Sequence, residues 1–385
     1  QYVQTASRTL SAAHLFAERP QGKPRHLHYL HTERNADDCN RARLAVDAMG
    51  GDFGPSVVVP GALQAARNTG AKVILVGIEE AIRKTLADLS EQDGEGELYE
   101  IVNATQLVEM TDKPSEVLRT KKDSSMQVAC RLVRQGKADA FISAGHSGAA
   151  YACGMFILGR IPGVERPALA SVIPTEKSPM LLLDVGANVE CRPHHLFQFG
   201  LMGATFVKDI LGYEDPRVGI LSIGEEEGKG NSLVKSSYEL LKQASNLNFI
   251  GNAEGRDLFT GNIDVAVCDG FVGNIALKLS EGLATSLTHL LKRELLNNGL
   301  LPRVGAFLSL KAFQNFKKMV DYAEYGGAPL LGLKGIAIVC HGKSNPKAIT
   351  SAVTMANTYV VKGTQQRLVE TISANEELTS YGRSV

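Results

Sequence analysis

The chain has no net charge, no CxxC pair and no long apolar run, and each absence excludes something. Its 41 Lys and Arg are balanced by 41 Asp and Glu, which gives no general electrostatic affinity for nucleic acid or an anionic membrane. An acidic partner would need a local basic patch. The six cysteines, Cys39, Cys130, Cys153, Cys191, Cys268 and Cys340, show no zinc spacing, and most sit in apolar runs where a reduced, buried thiol is expected. That points to a cytoplasmic protein. Apolar stretches are strand-length, short of the roughly 20 residues that a spanning helix needs. Residues 1–40 hold four of the nine histidines, several arginines and no signal-peptide core, and read as a poorly ordered N-terminal extension.

What is present is a large core. The 385 residues are 44% hydrophobic and include 38 glycines, the composition of an enzyme-sized globular chain. From Arg43 onward, "RLAVD", "KVILVG", "LYEIVNA", "DAFISAG", "PALASVI", "MLLLDVG", "RVGILSIG", "DVAVCDG" and "GIAIVCHG" are continuous apolar runs, the mark of strands covered on both faces. Helix-length segments lie between them. In one, Asn345-Pro346 reads as cap and first turn, and Ile349, Val353, Ala356 and Val360 form a buried stripe. The alternation predicts an α/β fold of three layers, a mostly parallel sheet with helices on both faces. It forms one large domain or two tightly joined ones over residues 41–365, with residues 366–385 as a C-terminal tail.

Six strand runs end in polar, glycine-containing turns: "DAMGGD", "SAGHSG", "DVGAN", "GEEEGKGN", "DGFVGN" and "CHGKSN". Ligands of open α/β sheets bind beyond the carboxyl ends of strands, so these turns are expected to converge on one crevice. Gly50 and Gly51 make room there for a ligand with oxygens or for a neighbouring backbone. Neither G-x-G-x-x-G nor G-x-x-x-x-G-K-[ST] occurs at these places, which favours a phosphate or carboxylate over a dinucleotide or a P-loop nucleotide. Lys229 either neutralises such an anion or is held by Glu225, Glu226 and Glu227. His146, an imidazole in a glycine turn, is a candidate general base, but "GHSGA" lacks the G-x-S-x-G frame of a nucleophile elbow. His194-His195, after Pro193, read as a helix start with a solvated face and not as a metal site, and His341 as a hydrogen-bonding turn residue.

In order along the chain, "AVDAMGGDFGP", "KKDSSM", "SAGHSGA", "RPALASVIPT", "LLLDVGANVE", "GEEEGKGN", "NFIGNAEGRDL", "CDGFVGNIALKLSEG", "YGGAPLLGLKG" and "HGKSN" resemble the phosphate acyltransferases of bacterial phospholipid synthesis, the PlsX family. The resemblance covers residues 42 to 365. It implies a fold like that of isocitrate and isopropylmalate dehydrogenases and phosphate acetyltransferases, a homodimer, and transfer of an acyl group from acyl-acyl carrier protein to inorganic phosphate. The acyl phosphate product serves a membrane glycerol-phosphate acyltransferase. No metal or cofactor is implied, because phosphate is the nucleophile and a thiolate the leaving group.

Under this resemblance Lys229 neutralises phosphate and Asn274 donates to the oxyanion. Gly50, Gly51, Gly145, Gly230 and Gly273 supply close backbone, and Ser143, Ser147 and Asn188 are further contacts. Asp47, Asp184 and Asp269 orient Lys229 or cap helices in preference to acting as bases. The family turn S-A-G-N-T-G stands here as "SAGHSG", which reduces His146 to ligand positioning. A nicotinamide-dependent hydroxyacid dehydrogenase of the same architecture and a non-catalytic recruiter of the carrier protein are the alternatives.

Basic surface for an acidic carrier is available at "RTKKDSS" and at the Lys292-Arg293 and Lys317-Lys318 pairs. A helical hairpin is expected over about residues 275–321. Its first helix carries Leu279, Leu283, Leu287 and Leu290 at core spacing. Its connecting turn shows Leu300, Leu301, Val304, Phe307 and Leu308 between Arg303 and Lys311, which fits a peripheral membrane contact or dimer packing.

Overall fold

The computed structural model describes residues 41–91, 94–297, 299–320 and 325–384, so the N-terminal extension and Cys39 lie outside the described residues. Eleven strands form one sheet: β1 (Arg43–Asp47), β2 (Lys72–Gly77), β3 (Tyr99–Asn103), β4 (Ala140–Ser143), β5 (Ala168–Ile173), β6 (Met180–Leu183), β7 (Val218–Leu221), β8 (Phe249–Ala253), β9 (Val265–Val267), β10 (Ala328–Leu331) and β11 (Ile336–Val339). Their order is β3-β2-β1-β4-β11-β10-β5-β6-β9-β7-β8. All nine sequence-predicted strands are present. The two additional ones are weak by pattern: β8 is interrupted by Gly251 at φ +98°, and β10 is four residues long and contains Pro329.

The sheet is mostly parallel, but its direction reverses. β10 runs antiparallel to both β11 and β5, and β5 antiparallel to β6. The strands β1 to β4 and β11 therefore run one way, and β6 to β9 the other. The carboxyl ends of the two sets therefore point opposite ways along the sheet, and the strand-end turns fall into two groups. Turns after β1, β4 and β11 form one group, and turns after β6, β7 and β9 another.

Helix positions follow local chemistry. Asn345 Oδ1 accepts the N–H of Ala348 at 2.9 Å to cap the helix Pro346–Val361, whose Ile349, Val353 and Ala356 are buried as the spacing predicts. Large fully buried side chains, among them Phe141, Phe197, Phe199 and Phe206, come from both directional halves. Residues 366–384, read above as a tail, lie in helices Thr364–Ala374 and Glu376–Ser384, with Leu368 and Ile372 in the core beside the helix Pro193–Phe206.

The hairpin departs most from its reading. Its first helix is longer than expected, Gly270–Asn297, and its apolar stripe is not core: Leu279, Leu283 and Leu287 are 69%, 57% and 56% exposed. The segment read as a turn is itself helical, Leu300–Leu308, and is followed by the helix Leu310–Val320. Among the described residues no helix is long and apolar enough to cross a membrane.

Candidate functional site

The first group of turns packs backbone against backbone. A β-carbon on Gly50 would stand 2.7 Å from the amide nitrogen of Gly145, and the N–H of Asp52 donates to Gly342 O at 2.8 Å. The glycines here make room for neighbouring chain. Asp47 and Ser143 are buried beneath them. The Ser143 hydroxyl donates to Asp47 Oδ2 at 2.7 Å and accepts the N–H of Gly145 at 3.0 Å, so it shapes the turn. Burial pushes the Asp47 carboxyl upward, against the hydroxyls of Ser125 and Ser143.

His146 occupies the helix cap at this edge. Its Nδ1 accepts the N–H groups of Gly148 and Ala149 at 3.1 and 3.3 Å, opening the helix Ser147–Cys153, while Ser147 is exposed. An Asn side-chain oxygen at this position would accept the same donors, which gives the S-A-G-N-T-G departure a physical account. His341 accepts the N–H of Lys343 through Nδ1 at 3.1 Å, as a turn residue does.

The second group is built around Asp184. Its buried carboxylate accepts from the backbone N–H groups of Leu169, Gly186, Ala187 and Asn188 and from Asn188 Nδ2, at 2.7 to 3.1 Å. Burial pushes this carboxyl up as well, against the pull of those donors. The helix Gly270–Asn297 is pressed onto this turn. A β-carbon on Gly273 would lie 1.9 Å from Asp184 O, an approach that only glycine permits. Asp269 caps the helix, its Oδ1 accepting the N–H groups of Phe271 and Val272 at 3.0 and 2.9 Å. One turn in, Asn274 is exposed, with its amide oxygen 3.5 Å from where a β-carbon on Gly186 would be. Asn188 is consumed internally: Nδ2 donates to Pro167 O and Asp184, and Oδ1 accepts from Tyr151.

That last bond joins the two groups. Tyr151 lies on the helix that His146 caps, and its hydroxyl donates to Asn188 Oδ1 at 3.2 Å. No sequence signal singles out Tyr151, since an aromatic in an alanine-rich helix reads as core.

Lys229 stands after β7 on an exposed turn. Two of the three glutamates before it are engaged elsewhere, Glu225 with Arg256 at 2.9 Å and Glu227 with Lys242 at 2.7 Å. Lys229 forms no ion pair among the described residues, and Asp47, Asp184 and Asp269 make their bonds elsewhere. Ser222 Oγ in this turn and Asn252 Oδ1 on the neighbouring β8 are enclosed without a hydrogen-bond partner among the described residues. Burial pushes the thiols of Cys153, Cys191 and Cys340 up to about 12, so they stay protonated at neutral pH and are poor nucleophiles.

His194 and His195 do begin a helix, but the solvated face is wrong: they are 0% and 4% exposed. Both ring Nε2 atoms meet Glu165 Oε2, and the three side chains are close enough together to be weighed as metal ligands. Their hydrogen bonds argue otherwise. His195 Nδ1 accepts the N–H of Arg192 at 3.1 Å, so the neutral ring carries its proton on Nε2 and donates it to Glu165. A metal would need that Nε2 lone pair.

Comparison with known proteins agrees with this architecture. A family model described as "Fatty acid synthesis protein" matches residues 42–367. A phosphate acyltransferase of Nitratidesulfovibrio vulgaris is 65% identical over 346 residues, covering 90% of this chain and 99% of its own length. That of Oleidesulfovibrio alaskensis is 68% identical over 342 residues, covering 89% and 97%. Among solved structures, a phosphotransacetylase from Streptococcus pyogenes shares the fold at a TM-score of 0.60 and 16% identity, covering 83% of this chain and 94% of its own. With turns, spacing and nearly the whole domain in common, the chain belongs to the PlsX family of phosphate acyltransferases.

Proposed function

We infer that the chain reversibly transfers a fatty acyl group from acyl-acyl carrier protein to inorganic phosphate, giving acyl phosphate for phospholipid synthesis. A phosphate oxygen attacks the thioester carbonyl, a tetrahedral intermediate forms, and the C–S bond breaks with its electron pair leaving on sulfur. A thiol with a pKa of about 8.5 is a competent leaving group, so the protein's work is to position reactants, hold charge and exclude water. Lys229, which forms no ion pair among the described residues, neutralises the phosphate. Asn274 donates to the oxyanion. The observation that carries this reading is the placement of Asn274: an exposed amide on the first turn of a capped helix, fixed by the contact of Gly273 with the Asp184 turn.

The acidic carrier docks on exposed basic side chains, for which Lys292 on the hairpin and Arg119 and Lys122 of "RTKKDSS" are available, whereas Lys121 is paired with Asp112 and Arg293 with Glu294. The exposed leucines of the helix Gly270–Asn297 suit packing against a second copy in a homodimer. Leu301, Phe307 and Leu308, 85%, 76% and 77% exposed, suit transient contact with the membrane where the glycerol-phosphate acyltransferase resides, by a protein that is otherwise cytoplasmic. Val304 is also exposed; the side chain of Leu300 lies outside the described residues.

The test is release of free carrier thiol as phosphate is titrated. Asn274→Ala should cost about 2.7 to 4 kcal/mol of transition-state stabilisation, by analogy with loss of one oxyanion donor. Lys229→Ala should raise the KM for phosphate. Thiol release independent of phosphate would overturn the reaction, and full activity of both variants would remove these two residues from it.

A further inference from the structure

Asn188 is buried, and both its side chain and its backbone are engaged. Nδ2 donates to Pro167 O and to Asp184 Oδ2, both at 2.8 Å, and the N–H donates to the same carboxylate oxygen at 2.7 Å. The Asn188 carbonyl accepts the N–H of Gly270 at 2.8 Å. Gly270 opens the helix that carries Asn274, and a β-carbon on it would lie 2.7 Å from Asn188 O. The remaining atom, Oδ1, accepts the Tyr151 hydroxyl at 3.2 Å. Tyr151 belongs to the other group of turns, on the helix Ser147–Cys153 that follows β4. Because both Nδ2 hydrogens have acceptors, the amide has one orientation, with Oδ1 toward Tyr151.

We propose that Tyr151 is a positioning residue for acyl transfer: through Asn188 it sets the first turn of the helix Gly270–Asn297, and with it the place of the Asn274 amide. Three contacts carry the effect. The hydroxyl fixes the Asn188 amide, the Asn188 carbonyl holds Gly270, and Gly186 in the same turn faces Asn274, whose Oδ1 would lie 3.5 Å from a β-carbon there. The bond is not what joins the two directional halves, because apolar side chains from both already meet in one core. Its contribution is direction. Apolar packing tolerates small shifts, whereas displacing a group at the reacting centre by about 1 Å can cost on the order of a hundredfold in rate. Without the hydroxyl, Oδ1 loses its donor in an enclosed place, and the turn gains by shifting to find another. This inference rests on the acyl-transfer reading above and on Asn274 as its oxyanion donor.

The experiment measures phosphate-dependent release of carrier thiol by the wild type, Tyr151→Phe, Asn274→Ala and the double variant. Tyr151→Phe keeps the ring and removes one hydroxyl. Its kcat should fall about tenfold, the order expected when a buried acceptor loses its donor, while the KM for phosphate stays within about twofold. On the Asn274→Ala background the same substitution should cost less than about twofold, because the group that it positions is gone. The comparison holds even if Tyr151→Phe melts lower, since both backgrounds share that loss. An equal fall in both backgrounds would mean that the effect does not pass through Asn274, and a kcat of Tyr151→Phe within about twofold of wild type would mean that there is none; either overturns the proposal. Wild-type turnover of Asn274→Ala would remove the donor and this assignment together. Absence of phosphate-dependent release by the wild type would instead sink the reaction itself, and the proposal with it.

Discussion

Gly273 shows how far one residue can be read. The sequence places it in "DGFVGN" at the start of a helix, as a glycine that makes room for something. The structure supplies the something: the carbonyl oxygen of Asp184, so close that a methyl group would sit 1.9 Å from it. Gly273→Ala must push the helix Gly270–Asn297 off the Asp184 turn, and overpacking of this kind costs about 1–3 kcal/mol or more. We expect a lower urea midpoint together with loss of turnover, because the shift carries Asn274 with it. A variant with wild-type midpoint and rate would show that this contact does not position the amide. The same logic explains which residues the sequence could assign. Asp269 as a cap and Asn345 as a cap are local matters of one helical turn. Gly50 was open, because its neighbour Gly145 comes from a distant strand-end turn, and no pattern in "DAMGGD" distinguishes a ligand from a backbone.

At the scale of elements, continuous apolar runs specify strands because both sheet faces are covered, and nine of the eleven are legible for that reason. Direction is not legible. It depends on how β5 and β10 are threaded into the middle of the sheet, and a run such as "PALASVI" reads the same in either sense. The hairpin illustrates a second limit: leucines four residues apart look alike whether the chain's own core or another surface covers them. Here they are exposed, and so is the tip, which gives the two surfaces separate tests. Leu301→Glu with Phe307→Glu should abolish sedimentation with anionic liposomes, since each buried side chain contributes on the order of 1.5 to 3 kcal/mol. Dimer mass by light scattering should be unchanged. If that double variant is monomeric instead, the tip packs against the second copy, and retained liposome binding by a dimer would remove it as the membrane contact.

For the molecule as a whole, the last two helices are structure and not tail, and what secures them is titratable. His194 sits between Glu165 through Nε2 and the carbonyl of Gly382, in the last helix, through Nδ1, while His195 completes the cluster. The sequence offered only the dipeptide. Its burial depends on Glu165 arriving from a separate loop and on the C-terminal helix closing over it. Burial first of all holds His195 at about 4 in the folded chain, below its ordinary 6.5. Between those values the unfolded chain takes up a proton that the folded one does not, so stability is full above about 6.5 and falls as the pH drops toward about 4. Glu165, held at about 2 chiefly by the hydrogen bond from His194, loses its contribution from the lower end of that window, about 4.5, downward. Acid should therefore loosen the C-terminal closure in two successive steps. Unfolding midpoints in urea from pH 7 to pH 4 should decline for the wild type. In His195→Asn, which keeps an acceptor for the Arg192 N–H but does not titrate, the decline should be shallower. The difference in slope can reach about 1.4 kcal/mol per pH unit, the value of one proton. Identical slopes would mean that His195 is not buried in its neutral form, and the clamp would then rest on His194 and packing alone.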